Sequence, residues 1–207
     1  MRAVLWCNGS PPPSSTIDSV ISDGLSIFGV DGGADRAAEC GIVVDEVLGD
    51  LDSIDARNCA DRRVELSDQE MSDLAKSLEL LIERGFTNID VLGVDGGEPD
   101  HILGNWAAML DAPSGAFIRM HHENRVTTRV HPDEGEFSLE IEMGETFSVF
   151  ALEPSKVWIS GSKWDIEGEF LGLSSRGIHN EGDGGMVSIR GEGVLAVISS
   201  SGDYSSS

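Results

Sequence analysis

Three short apolar runs that each break into an acidic turn constrain this chain more than any other feature. Phe28-Gly29-Val30 runs into Asp31-Gly32-Gly33, Glu46–Gly49 into Asp50-Leu51-Asp52-Ser53, and Val91-Leu92-Gly93-Val94 into Asp95-Gly96-Gly97. Runs of this length, bounded by Gly, Asp or Pro, have the pattern of buried strands, and residues 3–7, 25–30, 46–49 and 89–93 all fit it. Between the third and fourth, Met71, Leu74, Ala75, Leu78, Leu81 and Ile82 recur at helical spacing, and Gly85 supplies a stop. Strand, helix and strand in alternation predict a mainly parallel sheet flanked by helices.

From about Arg125 the pattern changes to short alternating segments between glycine turns, at residues 137–142, 146–152, 156–159, 186–190 and 194–199. This predicts an all-β sandwich or barrel. The expected organisation is therefore an α/β domain over residues 1–131 and a β-sandwich over 132–207, with a Ser-rich tail at 199–207 that frays.

Ligands of open parallel sheets sit beyond the carboxyl ends of the strands, which is where these aspartates fall. Asp50 and Asp52, two apart on a turn, suit Mg²⁺, which takes one or two carboxylates with water and phosphate oxygens. The paired glycines let backbone amides approach a phosphate. Asp and Gly are also ordinary turn residues, but three acidic turns at three strand ends favour a site. Ser67 and Glu70 fit a capping box, which leaves Asp73 and Lys76 as either an ordinary helix-surface ion pair or cleft residues. Pro99 suits a first helical turn, with Asp100 complementing the helix dipole and Asn105 following one turn later.

Composition narrows the partners. The 207 residues carry 37 acidic and 14 basic side chains, a net charge of −23, with Lys76, Lys156 and Lys163 the only lysines. That balance argues against duplex nucleic acid, which needs a basic face. It suits either a salty cytoplasm or a merely acidic protein. No apolar run is long enough to span a bilayer, and the N-terminal run is too short for a signal-peptide core before Pro11-Pro12-Pro13, so a cytoplasmic location is expected. Cys7, Cys40 and Cys59 lack metal-type spacing and are expected as reduced packing residues. His121 and His122 are adjacent, so on a strand they face opposite ways and do not share one ion.

Taken together, DGGAD (31–35), GDLDS (49–53), DQEMSDLAK (68–76) and GGEPDHILGN (96–105), followed by GSKWDI (161–166) and SRGIHNE (175–181), resemble the thiamine pyrophosphokinase family over nearly the whole chain. The resemblance implies ATP and Mg²⁺ at the α/β domain and thiamine at the sandwich. It also implies a homodimer whose active site is shared between subunits. Asp50, Asp52 and Asp73 match the family's metal acids, with Asp31 nearby. Asp31, Gly32, Gly33, Gln69, Lys76, Gly96, Gly97 and Asn105 would hold the nucleotide, and Trp164, Ser175, His179 and Asn180 the acceptor. Asp73 and Asp100 are the catalytic candidates, with Asp73 the first choice for the attacking hydroxyl. Three residues depart from the pattern: Glu98 replaces an arginine, Glu70 an aspartate and His179 a serine. The departures keep two alternatives open: a diphosphokinase for another hydroxymethyl heterocycle such as 6-hydroxymethyl-dihydropterin, and a non-catalytic nucleotide- or vitamin-binding relative.

Overall fold

The structure is a computed structural model describing residues 1–50, 62–68 and 70–200. Two compact units divide between Glu123 and Asn124. The division precedes the junction expected at 131/132 because β7 (Arg125–Val130) is a full member of the second unit's sheet, pairing antiparallel with β14 (Leu195–Ser200).

The first unit is built on parallel strands in the order β6 (Phe117–His121), β5 (Asn88–Leu92), β1 (Arg2–Trp6), β2 (Ser26–Val30), β3 (Glu46–Gly49) and β4 (Arg63–Glu65). The interior strands are almost continuously buried, as strands covered on both faces must be. Val4, Trp6, Val20, Ala34, Ala37, Val47 and Leu92 form the core on one face, under α1 (Ser14–Val20) and α2 (Gly33–Glu39). The chain moves outward from β1 through β2 to β3 and β4, then returns to place β5 and β6 on the other side of β1. The strand order therefore reverses between β1 and β5, and such reversals open a crevice at the strands' carboxyl ends.

Helix α3 (Asp73–Glu83) stops as expected: Gly85 takes φ 84°, its N–H donates to the Ile82 carbonyl (2.9 Å), and Phe86 N–H donates to the Leu81 carbonyl (3.0 Å). Its start differs from the capping box expected at Ser67 and Glu70. The cap is Ser72, whose Oγ accepts from Ala75 N–H (3.3 Å), so Asp73 is the first helical residue rather than a second-turn one. The reason is Lys76, whose ammonium holds the carbonyls of Leu66 and Asp68 and keeps that segment off the helix. Helix α4 (Pro99–Asp111) begins at Pro99.

The second unit holds two antiparallel groups of strands. β7, β14, β9 (Thr146–Ala151) and β12 (Asn180–Glu181) make one; β8 (Phe137–Ile141), β13 (Gly185–Gly191), β10 (Ser155–Ser160) and β11 (Ile166–Leu171) make the other. Alternate residues of both, among them Leu139, Phe147, Val157, Ile189 and Val197, share one apolar core. Ser199 and Ser200 pair with β7 as part of β14, so the fraying expected from 199 does not begin there. Cys7 is buried, and burial pushes its thiol up to about 12, far from a nucleophile's range.

Candidate functional site

Three carboxylates converge at the carboxyl ends of β2 and β3 and the start of α3. Asp31, Asp50 and Asp73 each place one oxygen so that all three lie within 4.8 Å of one another. Asp31 leaves β2 with φ 49°, a left-handed conformation uncommon outside glycine, and its N–H donates to the Leu48 carbonyl of β3 (2.8 Å). That hydrogen bond fixes the two strand-end turns against each other. Gly33 opens α2 where a Cβ would overlap the Trp6 carbonyl, so a side chain there would push the helix off the end of β1. Gly32 and Gly33 are buried behind Asp31.

Hard oxygens gathered from three segments fit a hard divalent cation such as Mg²⁺. Asp31, expected at the nucleotide and near the metal acids, stands with Asp50 and Asp73. Asp52 and Gln69 lie outside the described residues.

Lys76 is buried, with its ammonium 2.7 Å from Asp73 Oδ1 while donating to the carbonyls of Leu66 (3.0 Å) and Asp68 (2.8 Å). Two of the ammonium's three N–H bonds go to these carbonyls, while Asp73 is held as an ion pair whose Oδ1 accepts no hydrogen bond. Of the two alternatives left by the sequence, neither describes it fully: the pair is not a solvated surface contact, and its cation is engaged with the chain itself.

Farther along the strand ends, the loop after β5 lies beside the loop after β1. Gly9 N–H donates to Gly93 O (2.9 Å) and Ser10 N–H to Asp95 O (2.6 Å). Gly96 and Gly97 are exposed at φ 74° and 82°, conformations that suit glycine and present the backbone to solvent. Asn105 reaches back from α4, its Nδ2 donating to Val94 O (3.0 Å). Asp100 is exposed in the first turn of α4, where its Oδ1 accepts from His101 N–H (2.9 Å). Glu98, at the N-cap, is exposed and makes no side-chain cap.

In the second unit, Asn180 is buried and its amide works within the chain. Oδ1 accepts from Trp164 N–H (3.2 Å) and Glu181 N–H (2.9 Å); Nδ2 donates to Ser162 Oγ (3.0 Å) and Trp164 O (2.9 Å). It staples the 162–164 turn that carries Trp164, which is half-exposed with the Lys163 ammonium 4.6 Å from its ring centroid. His179 takes φ 58° and donates its N–H to Ser148 Oγ (3.1 Å). Ser175 is exposed in a short 3₁₀ turn.

The sequence reading missed a buried charge network on β5 and β6. Asp90 is fully buried, with Arg2 Nε (2.8 Å), Arg119 Nη2 (2.8 Å) and His121 Nε2 (2.7 Å) on its carboxylate. Burial alone would raise its pKa, but the His121 hydrogen bond, the Arg119 and His121 charges and the Arg2 hydrogen bond reverse that and hold it below the usual carboxylate range. An aspartate inside the apolar run 89–93, opposite an alternating Arg119–His121 pair, was the available signal. His121 and His122 do face apart: His122 Nδ1 lies 2.5 Å from Asp95 Oδ1.

Comparison with known proteins bears on this arrangement. The family model described as thiamin pyrophosphokinase, catalytic domain, matches residues 18–119. Thiamine pyrophosphokinase from Bacillus subtilis (strain 168) is 25% identical over 174 residues, covering 75% of this chain and 79% of that protein. The crystal structure of the Bacillus subtilis protein superposes with a TM-score of 0.77 at 23% identity, covering 97% of this chain and 99% of that one. The Candida albicans thiamin pyrophosphokinase gives 0.75 at 15% identity, covering 97% and 89%. The superpositions establish a common fold. Residues 18–119, matched by the thiamin pyrophosphokinase catalytic-domain model, are the segment that carries Asp31, Asp50 and Asp73.

Proposed function

We propose that the protein transfers the diphosphate of ATP to the hydroxyethyl oxygen of thiamine, giving thiamine diphosphate and AMP. The convergence of Asp31, Asp50 and Asp73 within the family-matched segment carries this reading. The acceptor oxygen bonds to the β-phosphorus, the bond from that phosphorus to the α–β bridging oxygen breaks, and AMP leaves with that oxygen. The acceptor's hydroxyl proton is lost in the same exchange.

The chain's own contribution is placement and charge. Asp31, Asp50 and Asp73 would hold Mg²⁺, with Asp52 a further candidate from the sequence motif. The cation supplies neutralisation of the phosphate oxygens. Lys76 pairs with Asp73 at 2.7 Å and keeps it oriented, and a carboxylate committed to a metal is a ligand before it is a base. Exposed backbone at Gly96 and Gly97 and the turn at Gly32-Gly33 are the nucleotide contacts in this reading, with Asn105 and Asp100 beside them and Gln69 assigned from the sequence motif alone. The α/β domain holds ATP, the C-terminal β-sandwich with Trp164, Ser175 and His179 receives the acceptor, and a homodimer in the cytoplasm completes the site.

One observation favours a second reading. Asn180 spends its amide on Ser162, Trp164 and Glu181, so it positions Trp164 rather than reading a pyrimidine directly, and a different hydroxyalkyl heterocycle becomes a competing acceptor. AMP release with ATP and Mg²⁺, measured in parallel with thiamine and 6-hydroxymethyl-dihydropterin, separates them. Release with thiamine is expected; none with thiamine but turnover with the pterin alcohol selects the alternative. Silence with both leaves a binding protein.

A further inference from the structure

A cleft of about 630 Å³ opens in the first unit at the end of the sheet opposite the acidic turns. Its size is ordinary for a small-molecule site. Leu25 and Phe28 reach it from the entry to β2, Glu46 opens β3, Arg62 directly precedes β4, and Arg84 caps the carboxyl end of α3. β2, β3 and α3 carry Asp31, Asp50 and Asp73 at their other ends. The length of β2, roughly 17 Å, separates the two places.

Glu46 organises the polar wall. Its side chain is 7% exposed, and each carboxylate oxygen faces a different guanidinium: Oε1 lies 3.0 Å from Arg62 Nη2, and Oε2 accepts from Arg84 Nη1 at 2.6 Å. Apolar residues in place of a buried ion pair are often no less stable, so stability gives little reason for an acid inside the buried run 46–49. What Glu46 does is hold two arginines at one place. A guanidinium has five N–H donors, and among the described residues neither fork has another polar partner. Asp45, the other acid of the lining, accepts from Ile27 N–H through Oδ2 (2.8 Å). Donors therefore outnumber free acceptors.

The opposite wall is aromatic: Phe28 and Phe86 meet edge to face, with ring centroids 5.6 Å apart. Asp45 and Glu46 balance Arg62 and Arg84, so the lining is neutral in a chain of net charge −23. Against that self-repulsion a ligand with one negative charge is favoured over one with two. The planar guanidinium fork matches a carboxylate. We propose that this cleft binds a flat organic monocarboxylate, its carboxylate on Arg62 and Arg84 and its ring against the phenylalanines. The site is independent of the reaction proposed above.

The test is an NMR titration in Mg²⁺-free buffer with four probes: benzoate, benzamide (the ring without the charge), acetate (the charge without the ring) and phenyl phosphate. Benzoate should shift the amides of Gly24, Ser26 and Phe86 saturably and leave those of Gly32 and Gly97 in place. Benzamide should bind about tenfold more weakly, the effect of one charge-assisted hydrogen bond, and acetate about tenfold more weakly through the lost ring contact. Arg62→Gln should weaken benzoate by about the same factor; its side chain is 77% exposed and Glu46 keeps Arg84, so the fold is retained. No saturable shift at the cleft amides overturns the proposal, as does equal affinity for benzoate and benzamide. A folded Arg62→Gln that binds benzoate like the wild type also overturns it. Tighter binding of phenyl phosphate than of benzoate refutes the single-charge assignment. Should Arg62→Gln fail to fold, the benzoate and benzamide titrations of the wild type decide.

Discussion

Replacing Lys76 with methionine separates a structural cation from a phosphate-binding one. The ammonium is buried on the first turn of α3, paired to Asp73 at 2.7 Å and donating to two carbonyls of the 66–68 segment at 3.0 and 2.8 Å. Methionine keeps most of the stem's packing and removes all three polar contacts. Hydrogen bonds from a charged donor contribute about 1.5–3 kcal/mol each but do not add independently. Breaking a buried ion pair by removing one partner costs about 3–5 kcal/mol. Asp73 retains 27% side-chain exposure, so water recovers part of its solvation, and the lower end, about 3 kcal/mol, applies. In a protein of this size each kcal/mol moves Tm by about 2–4 °C, giving a fall of about 6–12 °C by circular dichroism. Activity falls with it, because Asp73 loses the group that orients it. A Lys76→Met protein with unchanged Tm and a selectively raised KM for ATP would refute this account and return Lys76 to the phosphates.

Asp50→Asn and Asp31→Asn should each reduce Mg²⁺-dependent AMP release by at least about a hundredfold, the scale of losing one electrostatic contact at a transferring group. In metal-free buffer the same variants should melt no lower than wild type, since each removes like-charge repulsion; a large drop in Tm would make these carboxylates structural. The depressed pKa of Asp90 gives a pH signature. Its stabilisation is complete above the unfolded aspartate value of about 3.9 and is lost as pH falls through the lower folded value. Asp90→Asn should therefore be less stable at neutral pH and show a shallower acid limb in urea titrations, and parallel acid limbs would disprove the network's charge. Finally, a net charge of −23 predicts that Tm rises as NaCl is raised from low concentration to about 1 M, where the screening length is about 3 Å. A flat Tm across that range would show that self-repulsion does not limit stability.

Much of this molecule is determined locally and is legible without coordinates. The buried strands at 46–49 and 89–93 announce themselves because a strand covered on both faces has little room for polar residues. The stop at Gly85 is equally local, since a left-handed residue after a helix selects glycine. The acidic turns at Asp31, Asp50 and Asp95 follow from strand ends, and the ordered motifs around them resemble those of one family.

Other features exist only once the chain is folded. Ser67 and Ser72 both qualify as caps by their neighbours, and the choice belongs to Lys76, whose carbonyl partners are brought to it by the fold. Asp90 looks like an interruption in an apolar run until Arg2, from the first strand, and Arg119 and His121, from the sixth, arrive beside it. Parallel pairing places residues distant in sequence side by side, and no periodicity in the chain encodes which strand becomes the neighbour. The same holds for the crevice between β1 and β5: its walls come from residues 10–13, 94–95, 121 and 123, and only strand order makes them one place. Sequence alone determined that aspartates would stand at the strand ends. Tertiary structure decided that Asp31 joins Asp50 and Asp73, because the hydrogen bond from Asp31 N–H to the Leu48 carbonyl brings two strand-end turns together at one point.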